Sequence, residues 1–208
     1  MKKIIALAAL AALSAGASAA NLLSDGSFES VSEGDQSWSI VSTLPGWFYG
    51  NSSSDASIAG IEVRNNVAGT AQDGHNFVEL DGNENDFISQ TFNTVIGKTY
   101  VVSFWYSDRT GVAASSQGFE ANIESGATSV TVDRGAVGDN GAAWHEETFS
   151  FLAKGKHTTF TISAEGTSDS VGTSFDNFNV SAIPEPATLG LFAAGLAMLG
   201  MSARRRKQ

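Results

Sequence analysis

The chain has 208 residues, no cysteine, and 12 Lys and Arg against 22 Asp and Glu, for a formal net charge of −10. Six of the basic residues (Lys2, Lys3, Arg204, Arg205, Arg206, Lys207) and a single acid (Glu185) lie in the two ends, so residues 21–183 carry a charge near −15. That balance argues against nucleic acid and anionic lipid as partners of the central segment, and the lack of cysteine excludes disulfides, thiol nucleophiles and thiolate metal sites. Neutral sugars and divalent cations remain compatible with it, as does a charge that only keeps an exported domain soluble.

In chain order, Lys2 and Lys3 precede an apolar run over 4–13 and the small residues Ala17-Ser18-Ala19. This is the layout of a secretory signal peptide over residues 1–20, with cleavage next to Ala20. The middle, residues 21–182, is rich in Gly, Ser, Thr, Asn and Asp and shows no amphipathic helix. Short apolar segments between turn clusters predict strands over 58–64, 75–80, 87–92, 99–106, 120–123, 129–132, 147–152, 158–163 and 175–180. Turns are expected at Asp81-Gly82-Asn83 and Ile96-Gly97-Lys98. Alternation puts Tyr100, Val102, Phe104 and Tyr106 on one face, and likewise Phe149 with Phe151, Phe160 with Ile162, and Phe178 with Val180. Thirteen phenylalanines then imply an aromatic seam between two packed sheets.

The C-terminal part, residues 183–208, holds Pro184-Glu185-Pro186, an uncharged apolar stretch over 187–203, and the cluster Arg204-Arg205-Arg206-Lys207. Two prolines around one residue enforce an extended, accessible segment. The apolar stretch meets the lower limit of about 17 residues for one transmembrane helix, and the basic cluster beside it stays cytoplasmic, which places the body of the protein on the far side. These three parts in this order closely resemble the PEP-CTERM sorting signal of Gram-negative bacteria, with Ile183 where Val is usual. The resemblance implies processing by an exosortase, transient anchoring in the inner membrane, and a final place at the cell surface or outside the cell.

A second resemblance spans the central segment. Asn21-Leu22-Leu23-Ser24-Asp25-Gly26-Ser27-Phe28-Glu29 opens it. Gly46-Trp47, Val78-Glu79-Leu80-Asp81-Gly82, Ile88-Ser89-Gln90-Thr91-Phe92 and Gly97-Lys98-Thr99-Tyr100 follow, and Phe175-Asp176-Asn177-Phe178-Asn179-Val180 closes it. The ordered set resembles the galactose-binding-like jelly-roll domains of carbohydrate-binding modules and of a plant cell-wall protein family. It implies an all-β jelly-roll sandwich of about eight or more strands, and sugar binding as a family tendency.

Two groups of site residues are expected. Asp176 shares sequence parity with Phe178 and Val180, so it is expected to face the core, where a carboxylate needs a cation or several donors. Jelly-roll modules of the kind resembled commonly hold a structural calcium near the first and last strands, and Glu29 and Asp176 occupy the matching motif positions. The alternative is that Asp176 accepts backbone N–H bonds. For a sugar, Trp47, Phe48 and Tyr49 are expected in a loop after Pro45-Gly46, and Trp105 on an outward face, with Arg64, Glu62, Gln90 and Asp108 as polar partners. The alternative is that each Trp completes the core. His75, His145 and His157 are scattered, and no nucleophile elbow, zinc-binding helix or phosphate loop is present. The expectation is a non-catalytic exported protein that contacts extracellular polysaccharide. A matrix or adhesion protein that binds protein or itself, and a paired-carboxylate glycosidase, are the other readings.

Overall fold

Polar and apolar residues alternate through most of the central segment, and a computed structural model of the chain, describing residues 20–51, 60–137 and 143–184, resolves that pattern into eleven strands. These are β1 (Ser37–Val41), β2 (Phe48–Asn51), β3 (Ile61–Asn65), β4 (Phe77–Glu79), β5 (Asp86–Asn93), β6 (Thr99–Ser107), β7 (Gly118–Ser125), β8 (Thr128–Gly135), β9 (His145–Leu152), β10 (His157–Ala164) and β11 (Ser174–Ala182). They form a six-stranded sheet in the order β1-β3-β4-β11-β6-β9 and a five-stranded sheet in the order β2-β5-β10-β7-β8. Every strand pairing is antiparallel. Among the described residues no helix is long and apolar enough to cross a membrane. The expected signal peptide up to residue 19, the span over 187–203, Glu185 and Pro186 lie outside the described residues.

The core lies between the sheets. Tyr100, Val102, Phe104 and Tyr106 of β6 point inward, with Phe175, Phe178 and Val180 of β11, to meet Ile88, Phe92, Phe119, Ile123, Phe160 and Ile162 of the other sheet. Phe178 is the hub: its ring lies 5.3 Å from Phe104, 5.4 Å from Trp47, 5.7 Å from Phe28 and 5.8 Å from Phe160. Offset and edge contacts of this kind add about 0.5–1.5 kcal/mol per pair beyond the burial of area.

The opening motif is a strap across β11. Leu22 N–H donates to Val180 O at 2.7 Å, and the Asn21 side chain accepts from Val180 N–H and donates to Phe178 O. Gly26 is required there, because a Cβ would stand 2.2 Å from Phe178 O.

Two strands, β1 and β2, fall outside the expected set. Each is short and lies at the edge of its sheet. The aromatic run after Pro45-Gly46 is not a loop: Leu44 bridges Trp47 across a turn in which Gly46 takes φ +82°, and Phe48 then enters β2. Pro at the second and Gly at the third position is the composition such a turn selects.

Candidate functional site

The outer face of the six-stranded sheet carries polar and aromatic side chains in register. Trp38 stands opposite Arg64, and Arg64 opposite Phe77. Glu62 stands opposite Glu79, Glu79 opposite Ser174, and Ser174 opposite Ser107. Trp105 lies between Asp176 and Glu146 on the same face.

A buried ionic network underlies this face. Arg64, fully buried, donates through Nε to Glu62 Oε1 at 2.5 Å, through Nη1 to Ser174 Oγ at 3.2 Å, and is ion-paired with Glu79. Arg109 donates to Glu79 Oε1 at 3.0 Å from the rim. Burial pushes the Glu79 carboxyl up to about 7, against the opposing pull of the two guanidinium groups. Arg64 also lies 5.8 Å from the centre of the Phe77 ring.

Above the network is a cavity of about 170 Å³ lined by Thr70, Phe77, Ser107, Asp108, Trp144 and Ser174, with Ala68, Gly69 and Ala143 at its margin. Trp144 stands edge-on to Phe77, with ring centres 5.9 Å apart, and its indole N–H donates to Thr70 O at 3.0 Å. The two rings form an apolar corner in which Phe77, 1% exposed, is the buried backing and half-buried Trp144 the accessible surface. Ser174 Oγ accepts from Arg64, and a guanidinium has no acceptor to offer in return, so the serine's own proton is left to donate elsewhere. Asp108, 6% exposed, is a further lining residue. An apolar corner with polar side chains beside it suits a small polyhydroxylated ring.

The expected sugar-binding residues separate. Trp105 and Arg64 share this outer face, but Arg64 is buried and can act only through Ser174. Trp47 is a core residue, 7% exposed, packed on Phe28, Phe160 and Phe178 with its indole N–H on Asp25 O at 3.1 Å. Tyr49 packs against the core from β2 in the other sheet, and burial with Asp86 and Glu84 nearby raises its phenol. Glu62 is held by Arg64, and Gln90 is spent on the backbone of Ser24. Asp108 alone of those polar partners lines the cavity.

Asp176 does not face the core. A bulge between Asp176 and Asn179, with Asn177 at φ +51°, shifts the register, so Phe175 and Phe178 both point inward and Asp176 joins Trp105 on the outer face. It is still fully buried there. Its Oδ2 accepts the N–H groups of Gln72 and Asp73 at 2.7 and 2.9 Å, and its Oδ1 accepts that of Asn177. Burial pushes this carboxyl up to about 7 despite those three bonds. Glu29 Oε1 accepts the N–H groups of His75 and Asn76, each at 2.8 Å. Through these bonds the two acids clamp the segment 72–76. Among the described residues no group of three or more His, Asp or Glu side chains gathers. Of the sorting residues, Pro184 is described, exposed and outside any strand.

Phe77 and Trp144 are the residues that sequence reasoning passed over. Phe77 falls inside a predicted strand, and its neighbour Val78 takes the core position. Trp144 follows Gly141-Ala142-Ala143 and precedes β9, a lone aromatic after small residues.

The comparisons with known proteins bear on both parts of the chain. No curated protein matches it in sequence. Among solved structures it is similar to the carbohydrate-binding module TmCBM61, solved in complex with β-1,4-galactotriose, at 20% identity over 79% of this chain and 99% of that one, with a TM-score of 0.55. It is also similar to the K2 cleaved adhesin domain of Lys-gingipain (17% identity, 76% and 97% covered, TM-score 0.48) and to the CBM22-1 xylan-binding domain of Paenibacillus barcinonensis Xyn10C (14% identity, 81% and 97% covered, TM-score 0.45). The first of these likenesses shows a shared sandwich fold. Residues 182–207 match the PEP-CTERM protein-sorting motif, which marks the chain as exported. Residues 21–180 match DUF642 from end to end of the sandwich, and the chain belongs to that family of proteins of unknown function.

Proposed function

We propose that this chain is an exported, non-catalytic protein that binds neutral polysaccharide on the outer face of its six-stranded sheet. The observation that carries the reading is the corner made by Phe77 and Trp144 over Ser107, Asp108 and Ser174. Trp105 adds apolar surface two residues before Ser107 on the same face of β6, roughly 7 Å along the strand. The fold shared with a module solved with a galactotriose supports the reading, and the acidity of the domain selects neutral chains over polyanions. In this reading the chain is held in the inner membrane through residues 187–203, an exosortase acts at Pro184-Glu185-Pro186, and the sandwich reaches the cell surface or the extracellular space.

A glycan screen with the Trp144→Ala variant tests it. The parent protein binds a neutral glycan; Trp144→Ala weakens that binding at least tenfold while the thermal midpoint stays within a few degrees. Trp47→Ala behaves in the opposite way, costing about 3–5 kcal/mol of stability as a large core truncation. Absence of binding to any neutral glycan, or full affinity in Trp144→Ala, would remove the proposal.

A further inference from the structure

The end of the sandwich remote from the cavity has a different chemistry. Three turns meet there: 94–98 between β5 and β6, 125–128 between β7 and β8, and 152–157 between β9 and β10. They are joined into one platform. Thr94 N–H donates to Lys156 O and Gly97 N–H to Ala153 O, while Ala153 N–H donates to Lys98 O, each at 2.9 Å. Lys154 N–H and Thr158 Oγ1 donate to Ser125 Oγ, at 3.3 and 2.7 Å.

Residues 21–183 hold only six basic side chains. Three of them, Lys98, Lys154 and Lys156, are on this platform and exposed. The three turns contain no Asp or Glu, although the segment holds 21 acids. Val95 and Ile96, each 56% exposed, and Leu152 at 40% stand among the lysines. Exposed apolar side chains beside lysines form the pattern of a surface that rests in a lipid headgroup layer, because apolar side chains enter the interface while ammonium groups reach phosphate.

Chain connectivity says which surface that is. β11 ends with Ala182 opposite Tyr100, whose hydroxyl accepts Val95 N–H at 2.9 Å. The sorting motif begins at residue 182, so the chain leaves the sandwich for its apolar stretch from this same end. We infer, resting on the proposed anchoring of residues 187–203 in the inner membrane, that the platform of Val95, Ile96, Lys98, Lys154 and Lys156 docks on the anionic headgroups of that membrane. The net charge near −15 hides this local excess. Each lysine close to an anionic bilayer strengthens attachment by about fivefold, so three are enough to hold a tethered domain down.

The chain has no cysteine, so one introduced thiol reports one place. Ile96→Cys and, at the other end of β5, Asn83→Cys are labelled with an environment-sensitive fluorophore in the full chain. Each is reconstituted in vesicles of phosphatidylcholine alone or mixed with phosphatidylglycerol. The label at 96 is expected to shift to the blue and resist iodide quenching in the mixed vesicles, and much less in phosphatidylcholine. The label at 83 stays quenched in both. Lys98→Gln, Lys154→Gln and Lys156→Gln together, at surface positions that leave the core intact, reduce the protection by roughly tenfold or more. Equal quenching at 96 and 83, protection indifferent to phosphatidylglycerol or to the three glutamines, or failure of the chain to associate with either vesicle would each overturn the inference. None of these outcomes bears on glycan binding by the cavity.

Discussion

Asp86 accepts the Gly60 N–H on Oδ2 at 3.1 Å, and its Oδ1 finds no partner among the described residues. Its carboxyl is pushed up to about 7, first by burial and then by the charges of Glu84 and Asp81, against the pull of that one hydrogen bond. An unfolded aspartate titrates near about 3.9, so between roughly pH 4 and 7 the folded chain holds a proton that the unfolded chain has lost. The contribution to stability is fully present below the unfolded value and is lost as pH rises through the folded one. Asp86→Asn keeps the acceptor for Gly60 and removes the titration. Its thermal midpoint is therefore expected to fall less than that of the parent protein between pH 5 and pH 8. Asp176 and Glu79, also raised to about 7, keep part of the slope in the variant. Parallel midpoint curves for the two proteins would show that Asp86 is ionised in the fold throughout.

Strand β7 turns into β8 through Gly126 and Ala127, with Gly126 at φ +62°. Glycine at the first central position with positive φ is what a tight hairpin selects to match the strand twist. Space is short as well as φ: a Cβ on Gly126 would lie 2.8 Å from the carbonyl carbon and oxygen of Lys154. Gly126→Ala is thus expected to cost about 1–3 kcal/mol, read from the urea midpoint. Ala127→Gly, on the other side of the turn, should cost no more than about 1 kcal/mol. Equal midpoints in the two variants would mean that the turn moves freely. Elements of this kind, long strands with clean alternation between turn residues, were open to reading from sequence. The core faces of β6, β9 and β10 follow from it directly, as Phe104, Phe151 and Phe160 show. The bulge in β11 was not open to such reading: Phe175 and Phe178 are both core residues three apart, and period-two counting from Phe178 puts Asp176 on the wrong face. Trp47 and Tyr49 were misplaced for a related reason. The Pro45-Gly46 turn looks like a loop tip, yet Trp47 turns in to the Phe178 hub. The Phe77–Trp144 corner joins residues 67 positions apart, so only the register could bring them together.

At the scale of the whole molecule, the two proposed surfaces lie at opposite ends of one strand. β6 begins at Thr99, next to Lys98 of the basic platform, and ends at Ser107 in the cavity lining. Nine residues of strand span roughly 27–30 Å, close to the hydrocarbon thickness of a bilayer. A domain that rests on its platform therefore holds the cavity well above the headgroups, beyond the reach of the surface potential, which decays over about 10 Å at moderate salt. Docking and glycan binding should then be independent. The full chain in vesicles containing phosphatidylglycerol is expected to bind its neutral glycan within about twofold of its affinity in neutral detergent. Raising salt should release the label at 96 from the interface and leave glycan affinity unchanged, because no formal charge need be neutralised on a neutral sugar. Competition between vesicles and glycan would instead place the cavity against the membrane, and would require the strand direction of β6 to lie along the bilayer, where both of its ends touch lipid together.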